Sequence, residues 1–317
     1  MCYQQIKLND VLYENFETLM KQSQSNTPVS MISKTLREQN ALPDRIPVRG
    51  VMILVLLMFT CMQATAQRSF KVVGFYTALH DRAHITFVHE ANKWFAAQAS
   101  RYHFSYDSTS NWDNLNSTFL SQYSVVVFLD TRPEKPEQRE AFQRYMEGGG
   151  GWIGCHFSAF ALNNSDYPQN WDWFHNTFLG SNEYGSNTWR PTSAVLKVEK
   201  SSHPSMKGIP QNFKSQPNEW YRWTGNLRKN EDIEILVSID PASFPLGTGP
   251  KPHEIWHSGD YPVVWTNRKF RMLYMNMGHN DIDYEHGTNK QLSSTFGNPN
   301  QDQLMINCLL WLGSGKK

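Results

Sequence analysis

Short apolar runs alternate with amphipathic stretches along most of the chain after residue 70, a pattern typical of repeating βαβ units. The run Val-Val-Val-Phe-Leu at residues 125–129 is almost uniformly apolar, which indicates a parallel strand buried on both faces. The first half of this region is predicted to hold strands at residues 71–76, 102–106, 125–129 and 152–155, with helices at residues 85–99 and 136–147. The second helix begins at a proline and ends at a run of glycines, as helices commonly do.

The alternation of apolar runs and amphipathic stretches is less regular after residue 160 and resumes near residue 194. Residues 163–190 are rich in Asn, Trp and Gly, which predicts loops with a short helix at residues 171–179. Further strands are predicted at residues 194–198, 233–239, 262–266 and 272–277, followed by a last helix at residues 300–312. Because no internal repeat or linker interrupts it, we interpret residues 68–317 as one domain. The predicted fold class is α/β, a three-layer sandwich with a mostly parallel sheet.

The segment before this domain has the layout of a secretory signal. Residues 51–66 form an apolar run that is short for a membrane span, preceded by Arg45 and Arg49 and followed by Ala-Thr-Ala. We therefore predict a signal peptide at residues 52–66 and a mature chain beginning at Gln67. Residues 1–51 would then be an extension caused by a mis-assigned start codon, and the protein would be periplasmic or secreted with no membrane span after cleavage.

Two alternatives to a cleaved signal peptide stay open. The first is a genuine N-terminal tail followed by a membrane anchor. The second is a lipid-modified Cys61, although Met58, Phe59 and Thr60 before it are poor matches to the small residues that such processing requires.

Charge and cysteine content narrow the class of protein. The 30 Lys and Arg residues balance 29 Asp and Glu residues, and no basic block is present, so a nucleic-acid partner is not expected. Cys155 and Cys308, the two cysteines after the proposed signal, each lie in an apolar run and do not form a disulfide framework. Aromatic residues make up 13% of the chain, which suits stacking on sugar rings but equally suits ordinary packing.

Histidines follow three of the predicted strands. His80 and His84 come after the first strand, His156 after the strand at residues 152–155, and His279 after the strand at residues 272–277. In an open α/β sheet, ligands bind at the carboxyl ends of the strands. Histidine is the usual acid, base or metal ligand near neutral pH. The sequence therefore predicts a histidine cluster at this edge of the sheet.

Five motifs in a fixed order carry a resemblance to a known family. They are GGGGWIG at residues 148–154 followed by His156, HPSMKGIP at 203–210, NEWY at 218–221, PVVWT at 262–266 and RMLYMNMGH at 271–279. With these motifs the chain from about residue 71 to residue 312 resembles the ThuA-like family, named for a trehalose-utilisation protein. The family's fold is similar to that of class I glutamine amidotransferases.

The resemblance bears on Cys155. In the amidotransferases a nucleophilic cysteine occupies a strained elbow after a strand. The alignment of motifs places His156 at that elbow, so Cys155 becomes the last residue of the strand. Because strand side chains alternate, a Cys155 that faces the core directs His156 towards the site. We therefore predict that the chain is not a glutamine amidotransferase.

The resemblance also implies the roles of individual residues. Glu219 and Tyr221 match an acidic-Glu-x-Tyr element of the family, with Asn218 where Asp is commoner, which removes one carboxylate. We predict His156, His279, Glu219 and Tyr221 as catalytic residues. Substrate contacts are predicted for Trp189, Asn280 and Ser158. A divalent metal such as zinc is predicted on His156 and His279 with His80 or His84, and His80 is preferred; an acid/base cluster without metal is the alternative.

The expectation of a carbohydrate partner comes from the family resemblance and not from the spacing of any residues. Family members are associated with disaccharide utilisation and with glycosides oxidised on the ring. We therefore expect an exported protein that acts on an oxidised (3-keto) sugar or glycoside through a histidine-centred, metal-assisted acid/base site, as a lyase, hydrolase or isomerase. The alternative is a non-catalytic sugar-binding protein on the same fold. A glycosidase with two carboxylates is less favoured, because Glu219 has no acidic partner at a matching strand end.

Overall fold

A computed structural model describes residues 69–79, 81–161, 171–180, 184–188, 191–244, 256, 259–282 and 291–315. Its strands are β1 (Phe70–Phe75), β2 (Phe104–Thr109), β3 (Val125–Phe128), β4 (Gly151–Cys155), β5 (Tyr184–Asn187), β6 (Val195–Val198), β7 (Asn212–Lys214), β8 (Tyr221–Trp223), β9 (Ile233–Ile239), β10 (Pro262–Asn267), β11 (Phe270–Met275), β12 (Asp281–Ile282) and β13 (Gln291–Leu292). Its α-helices are α1 (Arg82–Ala99), α2 (Ser117–Leu120), α3 (Pro136–Glu147) and α4 (Pro299–Gly313).

Nine strands form one central sheet in the order β2-β1-β3-β4-β11-β10-β9-β6-β7. Strands β2, β1, β3, β4 and β11 pair in parallel. Strands β10 and β6 each pair antiparallel with both neighbours, so they alone run against the other seven strands of this sheet. The prediction of an α/β fold with a mostly parallel sheet is confirmed.

Two hydrophobic cores lie on opposite faces of the sheet. In β1, Val72 packs into the core beneath α1 and α4, whereas Val73 packs into the core beneath α3. Strand β3 alternates in the same way, with Val127 in the first core and Val126 in the second. Burial on both faces explains why these strands are apolar at nearly every position. The result is the predicted three-layer arrangement of helix, sheet and helix.

The structure differs from the sequence predictions in several boundaries. Strand β2 begins at Phe104 rather than at residue 102, because the chain is still turning at His103, whose φ is 56°. The loop-rich region contains a π-helix at Trp173–Phe178 and strand β5, which pairs with β8. Strand β5 (Tyr-Gly-Ser-Asn) has no alternation of apolar and polar residues, and β8 has only three residues, too few for an alternation to predict a strand. The edge strand β7 was also missed, since it has only three residues.

Among the described residues, no helix is both long and apolar enough to cross a membrane. The predicted signal peptide at residues 52–66 and the extension at residues 1–51 lie outside the described part of the chain. Both stay predictions, as does the periplasmic or secreted location.

Candidate functional site

His156 lies at a sharp turn directly after β4. Its φ is 39°, in the left-handed region that side-chain-bearing residues rarely adopt, and it opens a short 3-10 helix at His156–Ala159. The hydroxyl of Tyr274, on the neighbouring strand β11, donates to the backbone oxygen of His156 at 3.0 Å. A strained conformation persists only where surrounding contacts impose it. The turn therefore aims the His156 ring out of the strand direction and into the site.

Two buried charged residues after β3 hold the loops on either side. The guanidinium of Arg132 donates to the backbone oxygens of Phe157 and Ser158 at 3.1 and 3.4 Å, just after the His156 turn. The carboxylate of Asp130 accepts from the backbone nitrogen of Ala78 at 2.6 Å, just before the loop that leads to His84. Ala78 is itself in the left-handed region, with φ of 53°. Asp130 and Arg132 thus hold the loop after β1 and the turn after β4, the two strands that flank β3.

A close approach of two strand ends positions His279. Gly278 follows β11 with φ of 147°, and a Cβ placed on it would lie 2.9 Å from Cβ of His156. Only glycine fits here, since both the conformation and the space exclude a side chain. The next residue, His279, is thereby brought beside His156.

Three histidine rings meet at the carboxyl ends of β1, β4 and β11. Ring centroids are 5.5 Å apart for His84 and His156, 5.1 Å for His84 and His279, and 5.3 Å for His156 and His279. His84 reaches the cluster because α1 begins at Arg82, capped by the side chain of Asp81, which places His84 in the first turn. The predicted convergence of histidines at one sheet edge is present in the described residues.

Glu219 connects the cluster to the loop before β8. Its Oε2 atom lies 3.1 Å from Nε2 of His156 and 3.9 Å from Nε2 of His279. Its Oε1 atom accepts from the side-chain nitrogen of Asn187 at 2.7 Å. The Glu219 and His279 side chains keep 11% and 12% of their surface exposed, while His156 is fully buried. Glu219 and His279 therefore form the accessible part of the site, and His156 lies behind them.

Tyr221 packs against the other face of His156. The two ring centroids are 4.2 Å apart, and Tyr184 in turn packs on Tyr221 at 4.9 Å. Burial, reinforced by the nearby Glu219 carboxylate, raises the pKa of Tyr221 well above its usual value. The phenol is therefore protonated at neutral pH and serves as packing and as a potential hydrogen-bond donor, not as a base.

Burial also determines the charge of the histidines. It lowers the pKa of His156 to about 3 and that of His84 to about 3, and in His84 the neighbouring His156 ring adds to the effect. Burial lowers the pKa of His279 to about 4, although the Glu219 carboxylate opposes the shift. All three rings are thus neutral at physiological pH, the form that accepts a proton or binds a metal.

The buried group of His84, His156 and His279 could bind a metal. One ligand nitrogen from each ring lies within 4.8 Å of the others. The Nε2 atom of His84 and the Nδ1 atom of His279 are buried and have no hydrogen-bond partner among the described residues. Buried polar atoms usually have a partner, so these two nitrogens are candidates for binding a ligand. His156 differs, since both of its ring nitrogens already have partners, Glu219 and Asn276. The donor set therefore fits a divalent metal at two of its three histidines.

The other predicted site residues have more varied positions. His80 and Trp189 lie outside the described residues, so their roles stay predictions. Ser158 is fully buried beside the His156 turn, and its hydroxyl has no hydrogen-bond partner in the described structure. Asn280 is buried, and its amide already bonds Glu90 and the backbone nitrogen of Ser294. Substrate contacts by Ser158 and Asn280 stay predictions.

Cys155 faces away from this site. It is fully buried in the core beneath α1 and α4, and burial raises the pKa of its thiol far above the ordinary value. A nucleophilic cysteine needs the opposite, an accessible thiolate. The side chain alternates with His156 as predicted.

Sequence reasoning missed four residues that build the site: Asn187, Asn276, Asp130 and Arg132. Asn276 carries a detectable signal, because it is a polar side chain that interrupts the apolar run Met-Leu-Tyr-Met-Asn-Met. Asp130 and Arg132 directly follow an apolar strand, the place where ligand-binding residues are sought. Asn187 has no such signal, since its strand β5 is not predicted.

Comparisons with known proteins identify the family and support the fold. Residues 74–311 match the sequence profile of a family described as ThuA: Trehalose utilisation. A solved ThuA-like protein from Bacteroides uniformis is 33% identical, with a TM-score of 0.67, and the match covers 78% of this chain and 93% of that one. A second, from Parabacteroides merdae, is 18% identical with a TM-score of 0.54 and covers 77% and 90%, which supports the fold alone. No curated protein matches.

Proposed function

Because this chain belongs to the ThuA (trehalose utilisation) family, we propose that it acts on an oxidised, 3-keto sugar or glycoside with Glu219 as the base. The observation that carries the proposal is the placement of a partly exposed carboxylate between two neutral histidines, 3.1 Å from one and 3.9 Å from the other. A glycoside hydrolase needs a second carboxylate across the bond that it cleaves. A single carboxylate suffices to remove a proton next to a carbonyl.

The proposed reaction is an elimination. A ketone at C3 acidifies the C–H bond at C2, and Glu219 takes that proton while its electrons form the enolate. The enolate re-forms the ketone as the C1–O bond breaks, leaving a C1–C2 double bond. The leaving oxygen receives the proton that Glu219 removed, so the aglycone departs as an alcohol and no water or oxidant is consumed.

The neighbouring residues have supporting roles in this proposal. His156 and Asn187 each bind one oxygen of Glu219 and so fix the direction of the carboxylate. His279, neutral and partly exposed, is available to hydrogen-bond the substrate. A divalent metal held by His84 and His279 would polarise the C3 carbonyl.

The test is to incubate the full chain with nitrophenyl glycosides and their 3-keto forms, with and without chelator. We expect nitrophenol to appear only from a 3-keto form, and in D₂O the unreacted 3-keto substrate should exchange its C2 hydrogen for deuterium. His203→Asn is a matched control, because His203 packs against Trp311 in α4 and caps a 3-10 helix instead of joining the cluster. Exchange without release would indicate an isomerase. Saturable sugar binding without either would support the non-catalytic alternative.

We also propose that the protein is exported, with residues 52–66 as its cleaved signal. The support is the short apolar run bounded by arginines and by Ala-Thr-Ala. N-terminal sequencing of secreted or periplasmic material should begin at or near Gln67. Recovery of an intact Met1 in the membrane fraction would favour an anchored protein instead.

A further inference from the structure

Asn276 lies directly behind the catalytic cluster, between His156 and the backbone of β8. It follows β11 and is fully buried. Its Oδ1 atom lies 2.6 Å from the backbone nitrogen of Tyr221, and its Nδ2 atom lies 3.0 Å from Nδ1 of His156. Asn276 therefore contacts the one ring nitrogen of His156 that Glu219 does not.

The orientation of the Asn276 amide is determined by its partners. A backbone N–H can only donate, so the group that faces the nitrogen of Tyr221 must be the amide oxygen. The hydroxyl of Tyr274 donates to the backbone oxygen of His156 and lies 3.5 Å from Nδ2 of Asn276, to which it presents a lone pair. Two separate partners thus require that the NH₂ group point at His156.

This orientation decides where His156 carries its proton. The NH₂ group of Asn276 is a donor, so Nδ1 of His156 must be an acceptor and carries no hydrogen. A neutral imidazole has one ring hydrogen, which is then on Nε2. Nε2 faces Oε2 of Glu219, which accepts it. The hydrogen bonds to the His156 ring therefore run in one direction, from Nδ2 of Asn276 to Nδ1 and from Nε2–H to Glu219.

We infer that Asn276 is a positioning residue that holds His156 as the Nε2–H tautomer, so that His156 donates to Glu219 and does not offer Nε2 to a metal. The inference deepens the proposed function, and only its effect on turnover rests on that function. It separates the three histidines by role. His84 and His279 keep unengaged nitrogens, whereas His156 orients the carboxylate.

The tautomer is measured directly by long-range ¹H–¹⁵N NMR on metal-free full-length protein labelled with ¹⁵N-histidine. His156→Gln identifies the His156 signals by their loss. In the unsubstituted protein we expect a protonated Nε2 and an unprotonated Nδ1 at neutral pH. A protonated Nδ1 with a bare Nε2 would overturn the inference, and this reading needs no variant at position 276.

Asn276→Asp tests the cause. A carboxylate oxygen in place of NH₂ can only accept a hydrogen bond, so Nδ1 of His156 should become protonated and its ¹⁵N signal should shift accordingly. The matched control is Asn298→Asp, the same change at the N-cap of α4, where a carboxylate caps equally well. An unchanged Nδ1 signal in folded Asn276→Asp would contradict the inference. The expected tautomer without turnover of any 3-keto glycoside would leave the inference standing and remove the proposed function instead.

Discussion

The Nε2 atom of His156 lies 3.1 Å from Oε2 of Glu219, although 63 positions separate the two residues. Glu219→Gln keeps the shape of this contact and removes the negative charge that would accept a proton. If Glu219 is the base, turnover of a 3-keto glycoside should fall about 10²–10⁴-fold. The thermal midpoint of unfolding should fall somewhat, because the glutamine oxygen can accept from His156 or from Asn187 while the NH₂ group faces the other donor.

The matched control is Glu199→Gln, since Glu199 forms an ion pair with Arg228 away from the histidine cluster. Turnover in the control should equal that of the unsubstituted protein. Activity within a few-fold of normal in Glu219→Gln would remove Glu219 as the base.

Cys155 should be dispensable for activity. The thiol is fully buried and protonated, so Cys155→Ser should cost about 1–2 kcal/mol of unfolding free energy by placing a hydroxyl in an apolar site. Cys308→Ser is the comparison, because burial raises the pKa of that thiol to about 12 and it lies in the same core. Complete inactivation of a normally folded Cys155→Ser variant would restore a cysteine mechanism.

Stability should fall as the solution becomes acidic. The folded-state pKa is about 3 for His84 and His156 and about 4 for His279, against an ordinary value of 6.5. Between pH 6.5 and about 4 the unfolded chain binds protons that the folded chain does not, so unfolding becomes more favourable as pH falls. Each histidine should contribute at most about 1 kcal/mol per pH unit in this window.

Urea denaturation of chelator-treated protein at a series of pH values measures this slope. His84→Gln removes one of the groups, so its slope should be shallower than that of the unsubstituted protein. A stability that does not change between pH 6.5 and pH 4 would show that the rings are charged or accessible in the folded state.

The central strands were predictable because burial on both faces leaves an unmistakable apolar run, as in β3 and β4. The ends of elements were harder. The predicted helix began at residue 85, whereas the Asp81 side chain caps α1 and places His84 within its first turn. Reading Asp81 as an N-cap would have favoured His84 over His80 for the cluster.

The contacts that organise the site were not predictable. Asn187 reaches Glu219 because β5 pairs with β8, and these strands of four and three residues are too short for their sequence to predict them. The carboxylate of Asp130 and the guanidinium of Arg132 act on loops more than 20 residues away. Such contacts depend on which strands become neighbours, and strand order is not encoded in local periodicity.

Zinc affinity should respond to the tautomer of His156. With Nε2 of His156 protonated, His84 and His279 are the two histidines of this cluster that present free nitrogens, so His84→Ala should weaken Zn²⁺ binding. Asn276→Asp should tighten it about 10–100-fold, because a carboxylate on Nδ1 frees Nε2 for the metal and orients the ring. Competition with a chromophoric chelator measures both changes, with Asn298→Asp as the control. Equal affinities in Asn276→Asp and the unsubstituted protein would show that His156 is not a ligand in either tautomer.

Asp130 should couple the stability of the chain to the geometry of the site. Its carboxylate accepts from the backbone nitrogens of Thr77 and Ala78 and from the Thr77 hydroxyl, and all three are donors. Asn at position 130 would turn an NH₂ group towards at least one of them. We expect a loss of about 1–3 kcal/mol of unfolding free energy, because a buried donor is left without a partner.

The same change should lower turnover more than it changes the Michaelis constant. Ala78 holds a left-handed conformation just before the loop that leads to Asp81 and the start of α1, where His84 lies, and Asp130 fixes that conformation. Releasing that loop displaces His84 relative to His156 and His279 without removing a group that binds sugar. The matched control is Asp107→Asn, since Asp107 is exposed and accepts only from the Tyr123 hydroxyl among the contacts described. A destabilised Asp130→Asn variant with unchanged turnover well below its melting temperature would show that the contacts of Asp130 with Thr77 and Ala78 support the fold alone.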